Sequence, residues 1–126
     1  MSHFAKIEDN IVTNVIVAES DFIATQEGTW VKTSYNMIDG VYYDRDTNSP
    51  ASDQSVIVGD EARERKNYAG IGYGYDGVGF FRPKPYNSWL FNTTNYTWEP
   101  PVAFPPDDGS DKLYDWNEEN LAWEEQ

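Results

Sequence analysis

NYAGIGYGYDGVGFFRPKP, which spans Asn67–Pro85, is the stretch around which this chain of 126 residues is organised. It holds five glycines, five aromatic side chains and two prolines. Within it, Tyr73–Phe81 places large rings on both sides of Asp76-Gly77. Asp-Gly is typical of tight hairpin turns, because glycine adopts the positive φ that these turns need. We therefore predict two short antiparallel strands joined by a two-residue turn.

The residues before this stretch predict more antiparallel strands. Ile11–Ala18 is rich in β-branched side chains, which favour strands, and Asp9-Asn10 before it has turn chemistry. The alternating segment His3–Glu8 then completes an N-terminal hairpin. Ser20 or Asp21 is expected to cap a helix of one or two turns. Further strands are predicted at Trp30–Tyr35 and Val41–Tyr43, with an Asp39-Gly40 hairpin turn before the second.

The segment Asp44–Lys66 is polar and charged, with one short apolar island. We predict a long loop or arm here, because loops of this length in small domains are usually functional or disordered. A helical turn is expected at Glu61–Lys66. Asp44-Arg-Asp46-Thr-Asn48 has the opening spacing of a calcium-binding EF-hand loop, but Ser49 and Ser55 stand where such a loop needs Gly and Glu.

Two segments near the C-terminus, residues 88–99 and 113–124, share one aromatic pattern. Large apolar side chains recur at intervals of five and seven residues, at Phe91, Tyr96 and Trp98 in the first segment and at Trp116, Leu121 and Trp123 in the second. The polar residues between them, Asn92–Asn95 and Asn117–Asn120, are predicted turns. Each segment is therefore expected to be a hairpin that gathers its large rings on one face.

Together these patterns predict an all-β fold of serial antiparallel hairpins, with at most one or two short helices and a partly extended C-terminal half. A single domain is expected at this length. Its parts are a β hairpin and strand unit at 1–45, a loop or arm at 46–66 and a glycine- and aromatic-rich hairpin region at 67–126.

The charge of the chain and the residue types that it lacks restrict its function. The formal net charge is −13 and the isoelectric point is about 4.2, which opposes binding to nucleic acid or to an anionic membrane surface. There is no cysteine, and so no disulfide or thiolate metal site. The first residues have neither the basic nor the apolar region of a signal peptide. A chain this acidic suits docking on a basic partner.

Motifs with known chemistry are present only in part. Gly72-Tyr-Gly74-Tyr-Asp-Gly77 matches the letters of a dinucleotide-binding fingerprint, but the VGFFRPKP that overlaps and follows it cannot form the required helix. His3 is the single histidine, and its position near the N-terminus does not suit a rigid catalytic base. The acidic turn Asp107–Asp111 is expected to be solvated. We therefore predict no enzymatic activity, no cofactor and no metal site.

The aromatic side chains are the predicted interaction residues. The leading anchors are Trp89, Trp98, Trp116 and Trp123, because buried aromatic side chains dominate interface energies. Tyr73, Tyr75, Phe80, Phe81 and Phe91 complete the candidate set. Alternatively, exposed tryptophans could stack on sugar rings and form a carbohydrate-binding module. The two-residue period of the rings favours packing or a protein interface.

Several stretches, taken in order, resemble small proteins of marine tailed bacteriophages, especially cyanophages. They are SHFAKIEDNIVTNVIVAESDF, NYAGIGYGYD, RPKPYNSWLFN, TWEPPVAFPPDDG and YDWNEENLAWEE. The resemblance covers most of the chain apart from Thr47–Glu64, and it brings no catalytic motif. It implies a phage product that belongs to the particle, and it does not choose between head, neck, tail and fibre. Our prediction is a virion structural protein, present in many copies, that decorates or cements a capsid or tail and has other virion proteins as partners. The alternative is a carbohydrate-binding host-recognition module of a tail or fibre. Assembly is expected in the host cytoplasm.

Overall fold

The computed structural model describes residues 1–106, 109 and 112–126, and it confirms the predicted all-β fold of antiparallel hairpins. The strands are β1 Ser2–Glu8, β2 Ile11–Ala18, β3 Thr29–Thr33, β4 Met37–Ile38, β5 Val41–Asp44, β6 Ser49–Pro50, β7 Gly74–Tyr75, β8 Phe80–Phe81, β9 Leu90–Asn92, β10 Thr97–Glu99, β11 Tyr114–Asn117 and β12 Ala122–Glu125. One α-helical turn, α1, spans Ser20–Ile23, and turns of 3₁₀ helix lie at Ser55–Ile57 and Arg63–Arg65.

The chain divides into two compact units. The first unit contains Met1–Pro83 and Thr93–Thr97, and the second unit contains Lys84–Asn92 and Trp98–Gln126. Residues 67–83 belong to the first unit, whereas the sequence groups them with the C-terminal hairpins. They join the first unit through a long-range strand pairing, in which Gly74 of β7 lies opposite Ile11 of β2.

The first unit is built on a five-stranded sheet with the order β3-β1-β2-β7-β8. The predicted N-terminal hairpin is confirmed, since β1 and β2 pair along their length and Asp9 and Asn10 between them take positive φ values of 52° and 65°. Helix α1 follows as predicted. It begins after Glu19, however, so Ser20 and Asp21 lie inside its first turn and neither is the cap.

The glycine- and aromatic-rich centre forms the predicted pair of strands, β7 and β8. The predicted two-residue turn is wrong, because the connection takes four residues, Asp76–Gly79. The carboxylate of Asp76 accepts the backbone N–H groups of Val78 and Gly79 at 2.9 and 3.0 Å and so holds this wider loop. In β7, a Cβ at Gly74 would lie 2.4 Å from the Phe81 ring, which explains glycine there.

One face of the sheet carries the core of the first unit. Its fully or nearly buried members are Ala5, Ile7, Val12, Ala69 and Phe80. Val15, Val31, Tyr73 and Tyr75 pack around them. Burial of a large ring such as Phe80 contributes on the order of 2–3 kcal/mol, so a few aromatic side chains supply much of the apolar stabilisation here.

Asn67 is a buried polar residue that joins distant segments of the first unit, and its side chain is 2% exposed. Its Oδ1 accepts the backbone N–H of Asp39 at 2.8 Å. Its Nδ2 donates to the carbonyls of Phe80 at 2.8 Å and Tyr96 at 3.1 Å. A buried amide that satisfies three backbone groups holds their segments in place, because each group would otherwise be buried without a partner.

Tyr96 makes the stability of the first unit sensitive to alkaline pH. Its hydroxyl donates to Asp76 Oδ2 at 2.8 Å, and burial together with this hydrogen bond raises the pKa of Tyr96 to about 12. A group with a raised pKa contributes stability that is complete below its unfolded pKa, 10.0 here, and that is lost as the pH rises through the folded value.

We therefore expect the free energy of unfolding to fall between pH 10 and 12, and to fall less steeply in Tyr96→Phe, which has no phenol to ionise. Urea denaturation of both proteins across this range measures the two slopes. Equal slopes would show that the pair of Tyr96 and Asp76 makes no such contribution.

The segment Asp44–Lys66 folds back onto the first unit, so the prediction of a loop or arm is wrong in its first part. Asp44 pairs with Ser49 to form a short hairpin. The Gln54 side chain then bonds both the N–H and the C=O of Tyr42 at 2.8 Å and thereby imitates a neighbouring strand. The guanidinium of Arg63 lies 4.6 Å from the centre of the Tyr42 ring, a cation–π contact that anchors the end of the segment.

Candidate functional site

The two C-terminal hairpins share one local design, which confirms the repeat seen in the sequence. Ring centres lie 4.9 Å apart for Phe91 and Trp98, and 5.2 Å apart for Trp116 and Trp123. Behind each ring pair an asparagine donates to a glutamate seven residues later, Asn92 to Glu99 at 2.7 Å and Asn117 to Glu124 at 2.9 Å. The last turn residues, Tyr96 and Leu121, both take positive φ, at 57° and 50°.

A third hairpin of this type, β5–β6, lies in the first unit and was missed in the sequence. Its turn also has four residues and ends on a residue of positive φ, Asn48 at 53°. The N–H of Asn48 donates to the carbonyl of Asp44 at 2.8 Å. The spacing from Asp44 to Asn48 equals that from Asn117 to Leu121, and this equal spacing is the feature of the sequence that could have predicted the hairpin.

Three tryptophans and a phenylalanine of the second unit form one packed group, which we call the tryptophan cluster: Trp89, Phe104, Trp116 and Trp123. The ring of Trp89 meets those of Trp116 and Trp123 edge-on, with centres 6.0 and 6.2 Å apart. The rings of Phe104 and Trp123 also meet edge-on, with centres 4.8 Å apart. Edge-to-face pairs at these distances contribute about 0.5–1.5 kcal/mol each beyond the area that they bury.

Glu118 ties the tryptophan cluster together from one side. Its carboxylate accepts the N–H of Ser88 at 3.0 Å, the hydroxyl of Ser88 at 2.6 Å and the indole Nε1–H of Trp116 at 2.9 Å. Hydrogen bonds from the Ser88 and Trp116 side chains, aided by the charge of Lys84, hold the pKa of Glu118 below its usual 4.5. The charged carboxylate thus fixes the loop before β9 onto the β11–β12 hairpin.

A lowered pKa gives stability that is present above the unfolded value of 4.5 and is lost as the pH falls through the lowered folded value. We expect the near-ultraviolet circular dichroism of the tryptophans to decline in that acidic range, and Glu118→Gln to show a weaker dependence. Glu119→Gln is the matched control, because Glu119 is the exposed neighbour in the same turn. If both variants titrate like the parent chain, Glu118 does not govern the transition.

Among its described residues, the second unit exposes six large apolar side chains, which we call the apolar rim. Its members, with the fraction of the residue exposed, are Leu113 67%, Leu90 66%, Phe104 57%, Leu121 48%, Val102 46% and Tyr86 40%. The two stretches of this unit also contain nine acidic residues against two lysines. A contiguous exposed apolar patch rimmed by polar residues is typical of a protein interaction site, so these side chains are the candidate docking residues of the unit.

The structure brings only some of the predicted interaction residues together. Trp89, Trp116 and Trp123 meet in the tryptophan cluster, where Trp116 is buried and the other two are half-buried. Phe91 and Trp98 form their own half-buried pair in the second unit. Tyr73, Tyr75, Phe80 and Phe81 lie in the first unit. Phe80 is a correction: it is fully buried in the core and has no surface to offer a partner.

Sequence reasoning missed the most exposed members of the rim. Leu90 and Leu113 are aliphatic and lie outside the aromatic pattern that predicts the interaction residues, although each stands next to a ring in the sequence, at Phe91 and Tyr114. Phe104 lies between the prolines of Pro100–Pro106, outside the predicted strands.

Other candidate sites are weaker. Among the described residues there is no group of three or more His, Asp or Glu side chains that could hold a metal ion. The acidic turn Asp107–Asp111 lies outside the described residues apart from Gly109. The ring of His3 packs between those of Tyr35 and Tyr68, with ring centres 5.3 and 5.5 Å away. These ring contacts give His3 a packing role in the fold. A tyrosine-lined hollow beside Arg82 has about 200 Å³, below the roughly 300–1,000 Å³ usual for ligand pockets. A second hollow, lined in part by Lys32 and Asp60, has about 460 Å³.

No protein-family model, curated protein or solved structure matches this chain. In the part of the chain that the structure describes, no helix is long and apolar enough to cross a membrane. Function therefore has to be argued from the surfaces of the chain itself, of which the apolar rim is the most distinctive.

Proposed function

We propose that this chain is a non-enzymatic structural protein of a bacteriophage particle, which docks on other virion proteins and so decorates or cements a capsid or tail. The observation that carries the docking role is the apolar rim, which shares Phe104 with the tryptophan cluster. The phage context rests on the resemblance of most of the chain to small proteins of marine tailed phages.

The chemistry of the second unit supports docking on a protein that is apolar at the contact and basic around it. Leu90, Leu113 and Phe104 are more than half exposed and would leave water on contact. The release from water of each such side chain is worth about 1.5–3 kcal/mol before binding costs. The surrounding carboxylates would meet Lys and Arg side chains of the partner, which gives orientation and faster association.

The experiment that tests this proposal is mass spectrometry of purified particles from a phage that encodes the chain, with the copy number measured against the major capsid protein. Stoichiometry with the shell would support head decoration. Small multiples of three, six or twelve would support a place in the neck, tail or fibre. Absence from the particle would overturn the proposal.

The alternative, a carbohydrate-binding module for host recognition, needs rings that a sugar can reach. Each of the five tryptophans is half-buried or buried, and those of the cluster use their edges and faces on one another. The observations therefore favour a protein partner. A glycan array with hits that are lost in Trp98→Ala would favour the alternative instead.

A further inference from the structure

The outer edge of β2 is only partly covered. Near its start, Val12 donates its N–H to the carbonyl of Tyr73 and accepts the N–H of Gly72, both at 2.8 Å. The pairing of β2 with β7 then stops, because it consists of the single residue pair Ile11 and Gly74. Among the residues that the structure describes, no strand lies beside Thr13–Ala18 on this side.

The direction of the backbone groups at this edge follows from the hydrogen bonding of Val15. Residues of an antiparallel strand alternate between those that bond to one neighbour and those that point to the other side. The N–H of Val15 donates to Oδ1 of the Asn14 side chain at 2.9 Å. This places the backbone N–H and C=O of Val15, and by the alternation those of Val17, on the outer side of β2.

This edge has the properties of a strand that can add another strand. Between Ile11 and Ala18 there is no charged residue, and most side chains are β-branched. Native proteins guard an open edge with a charge, a proline, a β-bulge or a covering segment. The opposite edge of the same sheet carries a charge, Lys32 of β3, whose ammonium lies 3.8 Å from Glu61. In β2 the one such feature is an irregularity at Thr13, where its register against β1 shifts, and Asn14–Ala18 beyond it pair regularly with β1.

We propose that the open edge of β2 pairs with β2 of a second copy of this chain, antiparallel about a two-fold axis at Ile16. In this register Val15 lies opposite Val17 of the mate, and the two residues exchange backbone hydrogen bonds once the Asn14 side chain releases the N–H of Val15. The charges permit it: Glu19 falls opposite Thr13 of the mate, and no acidic side chain of the strand or its flank faces another. The two sheets become one continuous sheet, which is an isologous interface.

The second copy is favoured over a basic peptide because the strand itself is neutral and offers no carboxylate within the pairing segment for a cation to meet. The acidic residues elsewhere still repel the mate, with a net charge of −13 on each copy. Salt screens that repulsion. Pairing should therefore strengthen with added salt, whereas docking of the acidic second unit on a basic virion protein should weaken. The two proposals can thus fail separately.

The test uses the absence of cysteine from the chain. Ile16→Cys places a single thiol on the proposed axis. There it meets its own copy at a Cα separation of about 4.5 Å, inside the roughly 4.4–6.8 Å that a disulfide spans. Val58→Cys is the control, because Val58 is 84% exposed and directly precedes residues 59–63, which line a hollow with Lys32 of the opposite edge strand β3.

Under mild oxidation we expect Ile16→Cys to form a covalent dimer at least about tenfold faster than Val58→Cys, because pairing raises the effective concentration of the thiol. Equal rates would overturn the register. Sedimentation of the chain without cysteine gives an independent readout. We expect a dimer that increases with salt and that Val17→Lys, but not Val58→Lys, abolishes. A monomer at every concentration and salt, or a dimer that Val17→Lys leaves intact, would overturn the pairing itself.

Discussion

Replacement of Asn67 by alanine is expected to lower the free energy of unfolding of the first unit by about 3 kcal/mol, a loss of roughly 10–20 °C in melting temperature for a domain of this size. The side chain is buried and bonds the N–H of Asp39 and the carbonyls of Phe80 and Tyr96. Alanine removes all of these bonds at once. It leaves buried backbone groups unpaired, which costs more than the loss of an exposed hydrogen bond.

Urea denaturation followed by circular dichroism measures this change. Asn67→Asp is the informative second variant, because it keeps an acceptor for Asp39 but turns a carboxylate oxygen towards two carbonyl oxygens. It should be at least as destabilising as alanine. Asn87→Ala, at an exposed position, is the control and should stay within about 0.5 kcal/mol of the parent chain. A loss below about 1 kcal/mol in both Asn67 variants would contradict the role given to this residue.

The parts of the fold that the sequence predicted are those with local chemistry. Asp9-Asn10 and Asp39-Gly40 form turns because their positive φ values suit these residue types. The paired rings of the C-terminal hairpins follow from a spacing that needs no distant contact. Local chemistry also explains the turn at Asp44–Asn48. From the sequence alone we predict a loop or arm there and note only the incomplete spacing of a calcium-binding loop.

The role of Asn67 could not be predicted, because its partners lie 28, 13 and 29 residues away. A lone asparagine after a charged segment indicates a turn, and only the folded chain shows that it is buried. The wider loop at Asp76 was missed for a similar reason. Asp76 Oδ2 is engaged by Tyr96, and this contact depends on the β9–β10 turn folding with the first unit. Likewise, the exposure of Leu90 and Leu113 is a property of the folded surface that hydrophobic patterning alone does not give.

The double variant Leu90→Glu with Leu113→Glu is expected to reduce the incorporation of the chain into particles at least about tenfold, if the apolar rim is the docking surface. Both leucines are about two-thirds exposed, so the fold of the second unit should survive and its near-ultraviolet circular dichroism should be unchanged. A buried interface would lose the transfer free energy of two leucines and gain two carboxylates to desolvate. The combined cost exceeds the 1.4 kcal/mol that a tenfold change requires.

The matched variant Leu90→Lys with Leu113→Lys separates the apolar contribution from the electrostatic one. If apolar burial dominates, glutamate and lysine at these positions weaken docking alike, because either charge would be buried in the contact. If attraction to a basic partner dominates, the glutamate variant binds as well as the parent chain or better, and only the lysine variant is weakened. Val58→Glu, the most exposed valine in the first unit, controls for added charge and should be incorporated normally. Normal incorporation of both leucine variants would show that the apolar rim is not the docking surface, and the first unit would then be the candidate.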